Sequence, residues 1–151
     1  MEPEFKPAAH SDIETLIAFM RELYLHDNTF FDEANTRKAL DKILTDDSVG
    51  RVFVIEIGDE MVGYTVLTFG YSLEFHGRDA FIDELYISEP YRRQGIGKKT
   101  ISHLESICGS LGIDALHLEV ERENTNAQAV YRNIGFKDHN RYLMTKWITK
   151  A

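Results

Sequence analysis

A mixed α/β domain with a central, largely antiparallel sheet is the fold class this sequence predicts, and three observations predict it. Residues 51–57 (RVFVIEI) and 61–75 (MVGYTVLTFGYSLEF) are rich in β-branched and aromatic side chains and are separated by Gly-Asp-Glu, the pattern of an antiparallel hairpin. Four other stretches carry apolar residues at helical spacing. The resulting order is helices, hairpin, strand, helix, strand, helix, strand, with no linker, repeat or low-complexity segment between them.

The elements follow in turn. Residues 10–27 (HSDIETLIAFMRELYLHD) open with a Ser or Asp cap and place Ile13, Leu16, Ile17, Met20, Leu23 and Tyr24 on one helical face. Residues 33–47 (EANTRKALDKILTDD) read as a shorter helix, and the hairpin follows. Residues 78–87 (RDAFIDELYI) supply a further strand, stopped by Ser-Glu-Pro. From Gly95 onward Ile96, Ile101, Leu104, Ile107, Cys108 and Leu111 recur with helical period until Gly-Ser-Leu-Gly, whose glycines suit a helix C-terminus. Residues 114–120 (DALHLEV) predict a strand, residues 124–136 (NTNAQAVYRNIGF) a helix with Ala127, Val130, Tyr131 and Ile134 on one face, and residues 141–148 (RYLMTKWI) a last strand.

At 151 residues the chain suits one domain, spanning 1–151. A formal charge of −8 argues against general affinity for nucleic acid and favours a cationic partner such as an amine. The single cysteine, Cys108, excludes an internal disulfide and fits a reducing cytoplasm; it lies on the inward side of a helix without a base partner, which reads as a structural thiol. No apolar run is long enough to cross a bilayer, and His26, His76, His103, His117 and His139 have no metal spacing. A cytoplasmic protein with no metal, membrane or nucleic-acid partner is the expectation.

Residues 91–100 (YRRQGIGKKT) pack four basic side chains and two glycines into ten positions, which suits an anion. A nucleotide-triphosphate loop fails, because Arg92 stands where its first glycine belongs. A dinucleotide fingerprint is damaged by Thr100 at the position of its third small residue. What remains is a strand ending at Ile87, a turn, and Arg92-x-x-Gly95-x-Gly97 opening a helix. Glycines admit a diphosphate to the backbone, free N–H groups and the helix dipole favour its charge, and Arg92, Arg93, Lys98 and Lys99 add to that field.

With residues 83–101 (DELYISEPYRRQGIGKKTI) and 123–136 (ENTNAQAVYRNIGF) in the expected order, the sequence resembles the GNAT superfamily of acetyl-CoA-dependent N-acyltransferases, nearest to its small-polyamine (diamine) members, over roughly residues 53–147. The resemblance implies a sheet splayed where 83–87 and 115–120 run parallel around coenzyme A. It implies that Leu85, Tyr86 and Ile87 pair with the pantetheine arm, and that Arg92, Arg93, Gln94, Gly95, Ile96, Gly97 and Lys98 form the pyrophosphate turn. The Asn and Tyr of the second motif fall on Asn124 and Tyr131, both on the cofactor side.

Acetyl transfer to an amine needs a base, a held oxyanion and a proton for the departing thiolate. Three carboxylates compete for the base, ranked Glu84, Asp83, Glu119. The first two are neighbours on one strand and so are expected on opposite faces. The third sits in the Leu-Glu-Val position where related protein N-terminal acetyltransferases carry a catalytic glutamate. The match to the second motif implies that Tyr131 is the acid, and the chemistry suits it: a phenol near 10 stays protonated at neutral pH and can donate to a thiolate of pKa roughly 8.5. A backbone N–H around Leu85 to Ile87 holds the oxyanion. The expected acceptor is a small primary amine, with a protein or peptide amine, or a non-catalytic acyl-CoA module, as alternatives; a homodimer is implied by resemblance only. Phe69, Tyr71 and Phe75, beside Glu74, offer aromatic faces to a cation or pack as core.

Overall fold

The computed structural model describes residues 2–149. The chain divides into two compact units, residues 1–118 and residues 119–151.

The first unit is a five-stranded sheet in sequential order, β1 (Glu4–Pro7), β2 (Gly50–Ile57), β3 (Glu60–Ser72), β4 (Gly77–Ile87) and β5 (Leu116–His117), carrying helices α1 (Ile13–His26), α2 (Glu33–Thr45) and α3 (Ile96–Ser110). Strands β1 to β4 are antiparallel, and β4 and β5 are parallel. The hairpin closes as its sequence predicts, with Ile57 opposite Glu60 around Gly58 in the left-handed region. Asp32 caps α2, its carboxylate accepting from Asn35 N–H at 3.2 Å, while Asp12 at the start of α1 accepts from Ala9 N–H at 2.8 Å in the turn that precedes the helix.

One face of the sheet buries the apolar stripe of α1 (Leu16, Ile17, Met20) and the Leu40 and Ile43 side chains of α2 against Val52, Val54, Tyr64, Val66 and Tyr86. Full burial of one such leucine is worth about 1.5–3 kcal/mol. Elsewhere on the sheet Ile96, the first residue of α3, is buried with Ile55 and Val62, and Leu85 and Ile87 pack against that cluster. The strand that points into the candidate site is thus anchored by its own side chains.

The second unit contains α4 (Thr125–Asn133), and none of its described residues is buried. Residues 141–148, expected as a last strand, pair with no strand, and Tyr142, Met144, Trp147 and Ile148 are each more than 80% exposed. The strand expected over 114–120 is only Leu116–His117, because its register with β4 ends at Phe81 opposite His117. Conversely, β1 was not expected: four residues ending in proline carry no alternation, and they become a strand only by pairing with β2.

Candidate active site

The turn from Arg92 to Lys98 is set by backbone conformation. Arg93 (φ 63°) and Gly95 (φ 82°) both lie in the left-handed region, which glycine adopts freely and arginine only at a cost. Their alternation with ordinary residues produces the concave backbone that gathers N–H groups around an anion. No described residue accepts from the N–H groups of Gly95, Ile96, Gly97 or Lys98, so four donors at the positive end of α3 are unsatisfied. Gly97 is helical, and a Cβ built there meets no atom within 4 Å. Internal packing therefore does not demand glycine at 97. Gln94 Nε2 donates to Pro90 O at 3.0 Å and pins the turn, while Arg93 and Lys98 are exposed beside it. Lys99, by contrast, is drawn away into an ion pair with Glu2 at 2.7 Å.

Strand β4 reaches this turn with an open edge. Thr65 Oγ1 donates to Glu84 O at 2.9 Å and Ser88 N–H to Val62 O at 2.8 Å, so those groups face β3. In a trans peptide the following N–H points the other way, which turns Leu85, and by alternation Ile87, away from β3. On that side β5 pairs only with Ala80 and Phe81, and no described strand reaches Leu85. Arg92 Nε donates to Ile87 O at 2.7 Å and its guanidinium lies 5.6 Å from the Tyr86 ring centroid, fixing the end of this edge.

The acidic pair lies where the β3–β4 register breaks. Val66 faces Glu84 but Leu67 faces Ile82, so Asp83 has no partner and forms a β-bulge. The bulge interrupts the regular ladder at this pair, with Asp83 exposed and Glu84 half-buried. Glu84 accepts from Tyr24 Oη of α1 at 2.5 Å and from Tyr64 Oη of β3 at 2.7 Å. Burial pushes its carboxyl up, the two phenols oppose that, and the charges of Asp83 and Asp27 add to the rise. Asp83 opens to solvent, yet it has no hydrogen-bonding partner among the described residues, and desolvation raises its carboxyl too. A cleft of about 440 Å³ is lined by Glu22, Leu25 and His26 of α1, Tyr86 of β4, and Glu89 and Arg92 beyond it, among others. Tyr24 and Tyr64 are the site residues that the sequence did not reveal. Tyr24 lies on the apolar stripe of α1, where a phenol looks like any other core residue.

In the second unit, Asn124 is the N-cap of α4 and its side chain accepts from Ala127 N–H at 3.1 Å. At the other end Gly135 (φ 109°) turns the chain so that Phe136 N–H reaches Tyr131 O at 3.0 Å and the Phe136 ring meets the Tyr131 ring edge-on at 6.0 Å. The second motif thus has a local structural logic: cap, helix, left-handed stop and an aromatic pair that orients Tyr131. Burial raises the Tyr131 phenol. Glu119 is exposed. The structure brings Asp83, Glu84, Leu85, Tyr86, Ile87 and the turn together in the first unit; Glu119, Asn124 and Tyr131 belong to the second.

Cys108 is buried, as expected. The Phe69 face is taken by Arg78, 4.2 Å from its centroid. No group of metal-ligating side chains occurs among the described residues, and no helix is long and apolar enough to cross a membrane.

A family model described as the acetyltransferase (GNAT) family matches residues 17–136. The thialysine N-epsilon-acetyltransferase of Bos taurus is 33% identical over 81 residues, 54% of this chain and 47% of that protein; the chain spans about half the length of the curated relatives it matches there. The protein of the same name from Caenorhabditis elegans is 28% identical over 82% of this chain and 76% of its own. Among solved structures, a possible acetyltransferase from Clostridium difficile 630 superposes with a TM-score of 0.85 at 24% identity, covering 99% of this chain and 100% of that one.

Proposed function

Because the chain belongs to the acetyltransferase (GNAT) family, we propose that it transfers an acetyl group from acetyl-CoA to the primary amine of a small molecule by direct attack. One observation carries this reading: unsatisfied N–H groups in a left-handed turn, next to a strand edge that no described strand covers and an acidic pair at a β-bulge, all within residues 83–98.

The residues present fit coenzyme A. The open space over Gly97 and the free donors of Gly95 to Lys98 suit a diphosphate, with Arg92, Arg93, Gln94 and Ile96 shaping the turn. The outward backbone of Leu85 and Ile87, on either side of Tyr86, suits the amides of a pantetheine arm. Acetyl-CoA, when bound, supplies the acyl group as a thioester. The chain's own work is then threefold. A carboxylate, from Glu84, Asp83 or Glu119, accepts the proton of an ammonium whose ordinary pKa is roughly 10. An outward N–H near Leu85 steadies the oxyanion. Tyr131 Oη donates a proton to the departing sulfur, with Asn124 organising the start of its helix.

A small acceptor is favoured because Asp83, Glu84, Glu22, Glu89 and Asp27 crowd the end of α1 and β4 with negative charge. The name of the matched relatives also points to the side-chain amine of an amino acid. The test is thiol release from acetyl-CoA across a panel of diamines, amino acids, amino sugars and peptides. Turnover with at least one small primary amine is expected. Reaction with peptides alone would replace this reading by a peptide acetyltransferase, and tight binding without thiol release by an acyl-CoA-binding module.

A further inference from the structure

We propose that Tyr24 and Tyr64 are positioning residues: their phenols hold Glu84 as a fixed anion that receives the acceptor's ammonium group, which leaves proton removal to Asp83. The inference deepens the acetyl-transfer reading and rests on it. Both oxygens of Glu84 are already engaged, Oε2 by Tyr24 at 2.5 Å and Oε1 by Tyr64 at 2.7 Å, and the residue's backbone carbonyl is tied by Thr65 at 2.9 Å. A phenol is a far weaker acid than a carboxylic acid, so the O–H groups donate and the carboxylate stays anionic between them. Such a carboxylate is a poor general base, because taking a proton would cost it one of its two donated hydrogen bonds and force that phenol to reverse and accept instead. It is a good electrostatic anchor, because it cannot swing away.

Asp83 has the complementary properties. The bulge lifts it out of the ladder, no described residue donates to its carboxylate, and it opens to solvent. Two adjacent carboxylates in such different surroundings divide anchor from base. The groups that face Glu84 are Tyr24 and Asp27 from α1 and its end, Tyr64 from β3 and Asp83 from β4 itself. Tyr24 is held in turn by an edge-on contact with Phe31 at 5.2 Å, so the segment between α1 and α2 bears on the anchor.

The experiment uses Tyr24→Phe, which keeps the ring and its packing, with Tyr64→Phe as the second variant. The Glu84 side-chain carboxyl is followed by carbon NMR in the ligand-free protein, its resonance identified by loss in Glu84→Gln. Loss of one phenol removes an interaction that favours the anion, so the Glu84 titration should move upward in either folded variant. With the best amine of the panel, the acceptor KM should rise on the order of tenfold while kcat changes less than twofold. The acetyl-CoA KM should stay constant. Asp83→Asn should instead lower kcat and remove the acidic limb of the pH profile. An unmoved Glu84 titration overturns the proposal whatever the activity; so does a Tyr24→Phe variant that loses kcat at constant acceptor KM, which would make Glu84 the base. A wild-type protein that turns over no amine refutes the acetyl-transfer reading instead, and the NMR titration still decides the role of the phenols.

Discussion

The turn at Arg93 to Lys98 and the acidic pair at Asp83 and Glu84 lie on the same strand–turn–helix unit, yet they are built by different means. The turn is made of backbone: two left-handed residues, four unsatisfied N–H groups and a glycine whose missing Cβ nothing in the chain demands. The acidic end is made of side chains from three elements, α1, β3 and β4, meeting at a bulge. A backbone site tolerates change in the side chains around it and fails when the backbone is covered. A side-chain site fails in pieces, one partner at a time.

The sharpest test of the backbone half is Gly97→Val. Valine in a helix is no worse than glycine, so thermal stability should hold, while acetyl-CoA binding by calorimetry should vanish. A folded variant that binds normally would break the comparison. Next in size is Tyr131→Phe, where loss of a proton donor should lower kcat by roughly a hundredfold or more with acetyl-CoA affinity unchanged. Parallel loss of affinity would make Tyr131 a binding residue.

Gly63→Ala probes the opposite side of β4, where it pairs with β3. A Cβ there would sit 2.1 Å from Tyr86 O, so β3 and β4 must part, at a cost of about 1–3 kcal/mol read as a lowered Tm. The smallest expected effect belongs to the acidic half. Desolvation raises the Asp83 carboxyl in the folded state, so the native protein is penalised as pH rises through the carboxylate range and both folded and unfolded forms ionise. Asp83→Asn removes that penalty. It should raise Tm slightly at pH 7, and the gain should fade as the pH falls below the ordinary aspartate pKa and the wild-type side chain is protonated in both states. A gain independent of pH would show that packing, not desolvation, is responsible.

This contrast also explains what the sequence made legible. Helical stripes, the hairpin, the turn and the α4 motif are local patterns, and α1 to α4, β2, β3 and β4 lie where those patterns place them. The bulge at Asp83, the phenols on Glu84 and the short register of β5 depend on which strand lies opposite, and no stretch of sequence states its own partner. The same holds for residues 141–148: their β-propensity is real, but propensity without a pairing strand makes no ladder. β1 is the converse, a poor strand sequence made into one by β2.

The two borders of the sheet differ in how they resist unwanted company. At β1 the border strand is four residues long and carries Lys6 and Pro7, both of which discourage another strand from adding. On the other side, beyond the short β5, the outward groups of Leu85 and Ile87 on β4 have among the described residues no such guard other than the Arg92 side chain on Ile87 O. Handled without its ligand at high concentration, the protein should therefore form soluble aggregates by strand addition, and saturating acetyl-CoA should suppress them in light scattering. Purification and storage conditions would then report on the same backbone groups that the proposed pantetheine contact uses.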